Sequence, residues 1–364
     1  MPGRPRRCQR SDGRSQVPRP HRSNTTFDLP EPGRPSADDV LRSTADEPAP
    51  RGRRSAVSWL QLPAVLTAAP ARYRIRPFVA LTKPRIIELL LVTTVPTMVV
   101  AERGLPSIWL IIATVIGGTL AAGGANAYNM YLDRDIDAMM KRTANRPLVT
   151  GEVEPNEALV FATAVEALAF VWLAVTVNLL SAVLALAACA FYVVVYTIWL
   201  KRTSTQNIVI GGAAGAVPVL VGWSSVTNTL GWEAIILFGI IFFWTPPHFW
   251  ALAIKYEDDY SAASVPMMPV VQTHRHTTNQ MTIYSAIVFV LTLIFWQVAD
   301  MGWIYLLSAL AVGVLFTGGS LALRGETDPA RRASMAIRYF GFSITHLTVL
   351  FAAMALDMLV GWGT

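Results

Sequence analysis

The sequence predicts an all-α, polytopic membrane protein, and three observations lead to that fold class. Of its 364 residues, 53% are hydrophobic and only 15% are charged, whereas soluble domains carry roughly a quarter charged residues. The mean hydropathy is +0.43. The apolar residues also lie in long runs, as transmembrane helices require. A soluble enzyme is therefore disfavoured.

From residue 86 onward, nine apolar segments are long enough to cross a bilayer, which takes roughly 20 residues each. Their composition of Gly, Ala, Val and Leu, with Trp and Tyr near the ends, suits helices packed closely in lipid. The small residues of Gly211-Gly-Ala-Ala-Gly215 predict helix packing and not a phosphate loop, because no Lys-Ser/Thr pair follows. The predicted spans are 86–102, 107–132, 157–178, 180–200, 207–226, 232–254, 279–299, 303–323 and 336–360.

The polar N-terminal part of the chain accounts for most of the net charge. Residues 1–56 hold 12 Arg and 7 acids, and so contribute +5 of the total of +6. Their Arg, Pro, Ser and Gly content predicts a disordered cytoplasmic tail, and its acids and prolines do not fit a signal or transit peptide. We expect residues 57–85 to form a basic pre-membrane segment and residues 86–362 the membrane domain. Nucleic-acid binding is disfavoured, and two cysteines exclude a disulfide scaffold or a Cys-based zinc site.

The basic residues between the spans predict the orientation of the bundle. If the N-terminus faces the cytoplasm, the cytoplasmic loops hold eleven Lys and Arg residues and the opposite loops hold only Arg103. This asymmetry follows the positive-inside rule and places the C-terminus outside the cell membrane. The eleven are Arg134, Lys141, Arg142, Arg146, Lys201, Arg202, Lys255, Arg275, Arg324, Arg331 and Arg332.

The first acidic motif lies at the cytoplasmic end of the second predicted span. Asn129, Asp133 and Asp137 are spaced i, i+4 and i+8, so their oxygens point from one face of a helix. Stacked carboxylates repel each other unless a cation compensates, and hard oxygen ligands select Mg²⁺ or Ca²⁺. The alternative is a solvated helix end whose acids pair with Lys141 and Arg142.

A dense basic stretch follows this motif. Acids that hold Mg²⁺ beside Lys and Arg that meet phosphate are the usual apparatus for a diphosphate. Lys141, Arg142 and Arg146 are the candidates here. The alternative is that these bases serve only the orientation of the protein.

The second polar cluster ends the sixth predicted span, on the same side of the membrane. Pro246-Pro247 predicts a break or kink in the helix, and His248 follows directly. An intramembrane histidine is either functional or bonded to backbone groups that the prolines free. Beyond it lie Lys255, Asp258 and Asp259, so two acidic clusters face each other across one end of the bundle.

Two further residues are candidates for contact with a bound group. His346 lies within the ninth predicted span and is either a ligand or a packed core histidine. Arg275, between His274 and His276, either meets an anionic substituent or lies in solvent.

These motifs resemble the UbiA superfamily of intramembrane prenyltransferases, over about residues 75–362. The longer strings are similar to one branch of it, which farnesylates haem b. The strings are Leu81-Thr-Lys-Pro-Arg-Ile-Ile-Glu88, Asn129-Met-Tyr-Leu-Asp-Arg-Asp-Ile-Asp137, Asn145-Arg-Pro-Leu148, Tyr196-Thr-Ile-Trp-Leu-Lys-Arg202, Trp244-Thr-Pro-Pro-His-Phe-Trp250 and Asp258-Asp-Tyr260.

The resemblance implies a bundle of nine helices with a central cavity open to the cytoplasm, and a reaction between farnesyl diphosphate and haem b that yields haem O. It implies that Mg²⁺, or Mn²⁺ in its place, is bound by Asn129, Asp133, Asp137 and one or both of Asp258 and Asp259. The catalytic residues that the resemblance implies are Asp133, Asp137, Asp259 and Lys255. The diphosphate-binding residues that it implies are Lys141, Arg142, Arg146, Lys201, Arg202 and Lys255. The haem-binding residues that it implies are His248, His346 and Arg275.

One position departs from the superfamily pattern, which usually has two Asp four residues apart in the second motif. Here Lys255 stands four residues before Asp259, so a cation replaces one metal ligand and would bind the diphosphate directly.

Two alternative functions remain: a prenyltransferase acting on a quinone precursor or chlorophyllide, and a cation transporter. The resemblance also implies haem A synthase or the oxidase assembly machinery as protein partners, besides the lipid bilayer.

Overall fold

The computed structural model describes residues 71–361, without the side chains of residues 71–74 and 85–91, and every regular element in that part is helical. The predicted tail, residues 1–56, and residues 57–70 of the predicted pre-membrane segment lie outside the described residues. The elements are α1 (Ala71–Leu81), α2 (Pro84–Glu102), α3 (Ile108–Leu132), α4 (Arg134–Met139), α5 (Pro147–Thr150), α6 (Pro155–Thr176), α7 (Leu179–Ala190), a π-helix (Phe191–Leu200), α8 (Lys201–Thr203), α9 (Asn207–Thr227), α10 (Trp232–Lys255), α11 (Glu257–Ala262), α12 (Met268–Val271), α13 (His274–Val298), α14 (Trp303–Gly325) and α15 (Pro329–Gly361).

The predicted spans coincide with long helices. Within the described residues, eight helices are long and apolar enough to cross a membrane. The first predicted span falls on α2, which has 19 residues but is described in full only from Val92. The count of nine therefore stays a prediction. The last helix, α15, starts seven residues before the predicted boundary and carries Arg331 and Arg332 on its first turn.

The fourth span is one continuous helical segment, and most of its second half has π-helical geometry. It runs from Leu179 to Thr203, and its ten residues Phe191–Leu200 form a π-helix. The Thr197 hydroxyl donates to the carbonyl of Tyr192, five residues back, at 2.9 Å. Such wide turns are rare and occur often at functional sites, because they redirect the side chains that follow.

The packing brings three helix ends together at one face of the bundle. Helix α10 packs against α9, α13 and α15, α2 packs against α9 and α15, and α3 packs mainly against α6. Because successive spans alternate in direction, the C-terminal ends of α3, α10 and the fourth span share one face, which we call the basic face. Within α9, a Cβ on Gly211 would overlap the ring of Tyr196 and one on Gly212 would meet Thr245, so the predicted helix packing is confirmed there; a Cβ on Gly215 would meet nothing within 4 Å, so that end of the motif is not packed.

The opposite face is held by backbone caps. The Asp357 carboxylate near the end of α15 accepts hydrogen bonds from the backbone N–H groups of Gly302, Ile304 (3.0 Å) and Tyr305 (3.3 Å). It therefore satisfies the free donors at the N-terminus of α14. Asn178 caps α7 through Ser181 in the same way.

The tandem prolines do not break the sixth span. Helix α10 runs without interruption from Trp232 to Lys255 through Pro246 and Pro247, so the prediction of a break was wrong. The prolines remove two N–H donors, but both prolines and the residues from Trp244 to His248 are buried against neighbouring helices, which keep this stretch helical.

Candidate active site

The first acidic motif is buried at the junction of α3 and α4. Asn129, Asp133 and Asp137 have relative exposures of 3%, 0% and 2%. The backbone N–H of Asp133 donates to the carbonyl of Asn129 at 2.9 Å, and that of Asp137 donates to Asp133 at 2.8 Å. The helical spacing is thus kept across the junction, and the three side chains share one face, as the sequence predicts.

Basic side chains from three separate elements meet these acids. The Lys83 Nζ, just before α2, donates to Asn129 Oδ1 at 2.7 Å. The ammonium of Lys201, after the π-helix, pairs with the Asp133 carboxylate. Arg146, before α5, pairs with Asp137 at 2.5 Å. We call these six residues, three acids or amides and three bases, the Asp133 cluster.

The Asp133 cluster is tied to the π-helix through Thr197. Asn129 Nδ2 donates to Asp133 Oδ2 at 2.7 Å and to Thr197 Oγ1 at 3.1 Å. The hydroxyl of Thr197 in turn donates within the π-turn. The amide of Asn129 is therefore fixed from both sides, with its oxygen on Lys83 and its nitrogen on Asp133 and Thr197.

Lys83 is a site residue that the sequence analysis did not select. It has a left-handed backbone (φ 52°) and precedes Pro84, so the chain turns sharply there and directs the side chain inward. Desolvation and the charges of Arg146 and Lys201 lower the pKa of its ammonium to about 7, although Asp133 and Asp137 raise it. The Lys-Pro dipeptide at the start of an apolar segment is the one signal that could have found it.

The last predicted base of this region, Arg202, pairs mainly with a different acid. It makes two parallel hydrogen bonds to Asp135, of 2.7 and 2.8 Å, and stands 3.9 Å from Asp133. These hydrogen bonds lower the pKa of Asp135 to about 2, against the effect of its partial desolvation. This more exposed pair lies at the edge of the Asp133 cluster, next to Asp133.

The second acidic motif is more open. Lys255 and Asp258 are exposed and Asp259 is partly buried, and the described part of the chain shows no side-chain hydrogen bond or ion pair for any of them. Tyr260, the next residue, is buried and its hydroxyl accepts a hydrogen bond from Arg142 at 3.3 Å.

Arg142 connects the two motifs. Its guanidinium lies over the rings of Tyr256 and Tyr260, 5.4 and 5.8 Å from their centroids. Burial raises the pKa of the Tyr260 hydroxyl above its usual value, so this hydroxyl is a neutral acceptor. The loop after the first motif therefore rests on the helix that carries the second. Lys141 is exposed, without such a contact in the described residues.

The donor set of the Asp133 cluster fits a hard divalent cation. Asp133 Oδ1 is buried and has no hydrogen-bond partner among the described residues, so it is available as a ligand beside Asp137 and Asn129. Within the described residues, no three His, Cys, Asp or Glu side chains converge as a complete metal cluster. The acids of the two motifs are thus not brought into one group, and shared ligation by Asp259 or Asp258 stays a prediction.

The candidate haem-binding residues lie in two different places. His248 is buried between Trp244 (4.2 Å between ring centroids) and Phe340 (4.4 Å), and its Nδ1 hydrogen-bonds Ser343 Oγ at 2.6 Å. His346, fully buried one turn after Ser343, stacks on Phe316, and neither of its ring nitrogens has a partner in the described residues. Arg275 instead lines a surface groove at the basic face.

The two grooves described at the surface do not contain the acidic motifs. One is lined by Phe78, Asn156, Glu157, Val160 and Phe161, and the other includes Arg275. The central cavity open to the basic face therefore stays a prediction.

A profile of the UbiA prenyltransferase family matches residues 90–359. The chain belongs to this family. The matched range contains both acidic motifs, the π-helix and both histidines, so the chain is a prenyltransferase with the all-helical UbiA fold.

Individual relatives agree with this assignment. The chain is 50% identical over 290 residues to the protoheme IX farnesyltransferase of Streptomyces coelicolor, a match that covers 79% of this chain and 92% of the relative. The UbiA fold is also found in a digeranylgeranylglyceryl phosphate synthase (TM-score 0.65, 15% identity, 79% and 99% of the chains covered). It is found again in an Archaeoglobus fulgidus UbiA homologue bound to DMAPP and Mg²⁺ (TM-score 0.54, 18% identity, 75% and 99% covered).

Proposed function

We propose that this UbiA enzyme transfers the farnesyl group of farnesyl diphosphate to a vinyl group of haem b, with addition of water, and so forms haem O and diphosphate. The observation that carries the proposal is the buried Asp133 cluster, with alternating acids and bases at the membrane surface. The half-identical relative named protoheme IX farnesyltransferase supports the choice of substrates. The Mg²⁺ and prenyl diphosphate bound by the Archaeoglobus homologue support the choice of cofactor.

The Asp133 cluster has the charges to receive a diphosphate. Its three bases outnumber its two carboxylates, with Lys83 only partly protonated at neutral pH, and Arg142 and Lys255 add positive charge nearby. In this proposal, Lys201 and Arg146 turn from their carboxylates to the diphosphate oxygens, with Lys141 and Arg202 contributing at the edge. Charge-assisted hydrogen bonds of this kind are stronger than neutral ones, and Arg can make two of them to one phosphate.

Mg²⁺, or Mn²⁺ in its place, would be held by Asn129, Asp133, Asp137 and an acid of the second motif, and would supply positive charge to the departing diphosphate. The bases of the Asp133 cluster would add to this stabilisation because they already lie beside the buried carboxylates. The allylic C–O bond breaks, its electron pair leaves with the diphosphate, and the farnesyl cation remains in the bundle.

The apolar interior protects this cation until the second substrate captures it. The haem vinyl group donates its π electrons to the farnesyl carbon, which moves the positive charge onto the former vinyl carbon. Water then adds there and loses a proton, giving the hydroxyethylfarnesyl side chain. Aromatic faces such as those of Tyr196 and Trp244 stabilise positive charge during these steps.

The haem would be placed by the α10–α15 pair. His248 is held by Trp244, Phe340 and Ser343, and His346 lies one turn after Ser343 on α15, where the described residues give its two ring nitrogens no hydrogen-bond partner. In this proposal one of these two histidines meets the haem iron. The cell membrane is the place of reaction, with the N-terminus and the basic face in the cytoplasm, in accordance with the positive-inside rule. Haem A synthase or the oxidase assembly machinery would receive the product.

The test is a product analysis on membranes that contain the full-length chain. Haem b, farnesyl diphosphate and Mg²⁺ are supplied in water enriched in ¹⁸O, and the extracted haems are analysed by mass spectrometry. We expect a haem heavier by one farnesyl group and one water, with one ¹⁸O atom. No such product, beside an active relative as positive control, would overturn the proposal.

The same assay separates the alternatives. Replacing haem b by a quinone precursor or chlorophyllide tests the nearest enzyme alternative, which a prenylated product would favour. For a cation transporter, ion flux into vesicles would be observed without any prenylated product. Asp133→Asn, with Asp135→Asn as the matched control from the same motif, then assigns the activity to the Asp133 cluster.

A further inference from the structure

A second basic site lies at the same face of the bundle, where α13 begins, α14 ends and α15 begins. Arg275, Arg324 and Arg332 line a groove of about 750 Å³, together with Leu321 and Glu326. They come from three different helix ends, so the fold and not one stretch of sequence brings them together. We call this feature the arginine groove. The reaction proposed above makes no use of its Arg324 and Arg332.

The described residues do not neutralise the positive charge of the arginine groove. Among them Glu326 is the one acid that lines it, and its Oε1 accepts hydrogen bonds from the backbone N–H groups of Thr327 and Asp328, both at 2.9 Å. Arg332 donates to the Thr327 carbonyl at 3.2 Å, while its buried Nε has no partner among the described residues. Three guanidinium groups thus share one carboxylate that is already engaged in the turn.

The surroundings of the groove point to a ligand that is part anion and part apolar. Leu321 lines it with 48% exposure, and Val314, seven residues earlier and on the same face of α14, is also exposed. A free ion would meet only the arginines. A molecule with a phosphate at the level of the helix ends and acyl chains along α14 would meet both features.

We propose that the arginine groove binds the phosphate headgroup of an anionic phospholipid, with the acyl chains lying along α14. The groove volume lies in the range of small-molecule sites, so it has room for a headgroup and not only for an isolated phosphate. Basic pockets between transmembrane helices at the membrane surface are typical sites for such headgroups. This binding does not depend on farnesyl transfer or on the identity of the acceptor.

The proposal is tested by native mass spectrometry of the full-length chain, released from nanodiscs of phosphatidylglycerol and phosphatidylcholine in equal amounts. No substrate is present, so the result is independent of the proposed reaction. We expect the wild type to retain phosphatidylglycerol selectively. The combined variant Arg275→Gln, Arg324→Gln and Arg332→Gln should bind it about a hundredfold more weakly, since each arginine near an anionic headgroup contributes about fivefold.

The matched control is Arg331→Gln. This arginine is the neighbour of Arg332, but it is exposed, pairs with Asp328 at 3.8 Å and does not line the groove. It should retain phosphatidylglycerol as the wild type does. Equal retention by the triple variant and the wild type would overturn the proposal.

Two competition arms identify the ligand. Inorganic phosphate and haem b are added separately at millimolar and micromolar concentration, respectively. We expect neither to displace the retained phosphatidylglycerol. Displacement by phosphate would mean a soluble-anion site, displacement by haem b would mean a propionate site, and either result would contradict the lipid proposal.

Discussion

The two acidic motifs at the basic face differ in how far the protein alone organises them. In the first, Asp133 and Asp137 are buried and paired with Lys201 and Arg146. In the second, Asp258 is exposed and Asp259 only partly buried, and the described residues provide no ion pair for either. Both motifs end a long helix, so the contrast does not come from secondary structure.

The difference follows from what surrounds each helix end. The end of α3 is enclosed by the turn before α2, by the π-helix and by the turn before α5, and each of these contributes a base. The end of α10 has Arg142 as its one described partner from the first motif, through Tyr260. The first motif is therefore a preformed half of the site, and the second completes it when substrate arrives. The predictions below test this division, from the largest expected effect to the smallest.

Loss of a carboxylate from the preformed half should have the largest effect. Asp133→Asn removes a charge that faces Lys201 and Asn129 and would also face Mg²⁺, so we expect activity to fall by about a thousandfold. Asp135→Asn, in the same motif but paired with Arg202 at the edge, should lose less than about tenfold. The product assay measures both, with membrane insertion as the check on folding. Equal losses would remove the special role of Asp133.

Lys83 should be the next most sensitive position. Lys83→Met keeps the length of the side chain but removes the hydrogen bond to Asn129 and a group that is positively charged when protonated, so we expect kcat/KM to fall by about a hundredfold. Lys83→Arg keeps the charge and should restore at least part of the loss. A purely structural role would predict reduced protein in the membrane with unchanged kcat/KM for the fraction that is folded.

The open half should respond unequally at its two adjacent acids. Asp259→Asn should lower activity by about thirtyfold, chiefly through a higher KM for the Mg²⁺–diphosphate complex, because this partly buried acid would act only on the bound complex. Asp258→Asn, at an exposed position, should change activity less than threefold, within the range of ordinary surface substitutions. The reverse ranking would make Asp258 the primary ligand.

The contact between the halves should give the smallest effect. Tyr260→Phe keeps the ring under Arg142 and removes only the hydroxyl that accepts its hydrogen bond, so we expect KM to rise by about three- to tenfold with little change in kcat. Tyr256→Phe, whose ring also meets Arg142, serves as the control and should leave KM nearly unchanged. An unaltered KM in Tyr260→Phe would mean that this contact does not join the halves.

Local sequence patterns were sufficient to predict the helical fold and the arrangement of the first motif. The apolar runs predicted the helices, and the i, i+4, i+8 spacing placed Asn129, Asp133 and Asp137 on one face because helix geometry depends only on neighbours along the chain. The tandem prolines gave a wrong expectation of a break because neighbouring helices keep α10 helical through them. Packing between distant segments has no local signature.

The sequence alone therefore does not predict which side chains contact the residues of the first motif. Lys83 is 46 residues from Asn129, and Thr197 is 68 residues away, yet both touch its amide. The pairing of Asp133 with Lys201, and not with the nearby Lys141, depends on the π-helix, which no residue pattern marks. The same holds for the arginine groove, whose three members come from three helix ends.

The most direct test of the preformed half is the binding of Mn²⁺, followed by electron paramagnetic resonance with a non-ionising thio analogue of farnesyl diphosphate. The full-length chain in detergent should show bound Mn²⁺ when the analogue is present, and Asp135→Asn should behave alike. Asp133→Asn should show only free Mn²⁺, while Asp259→Asn should bind more weakly but still measurably. Unchanged Mn²⁺ binding by Asp133→Asn would contradict the account.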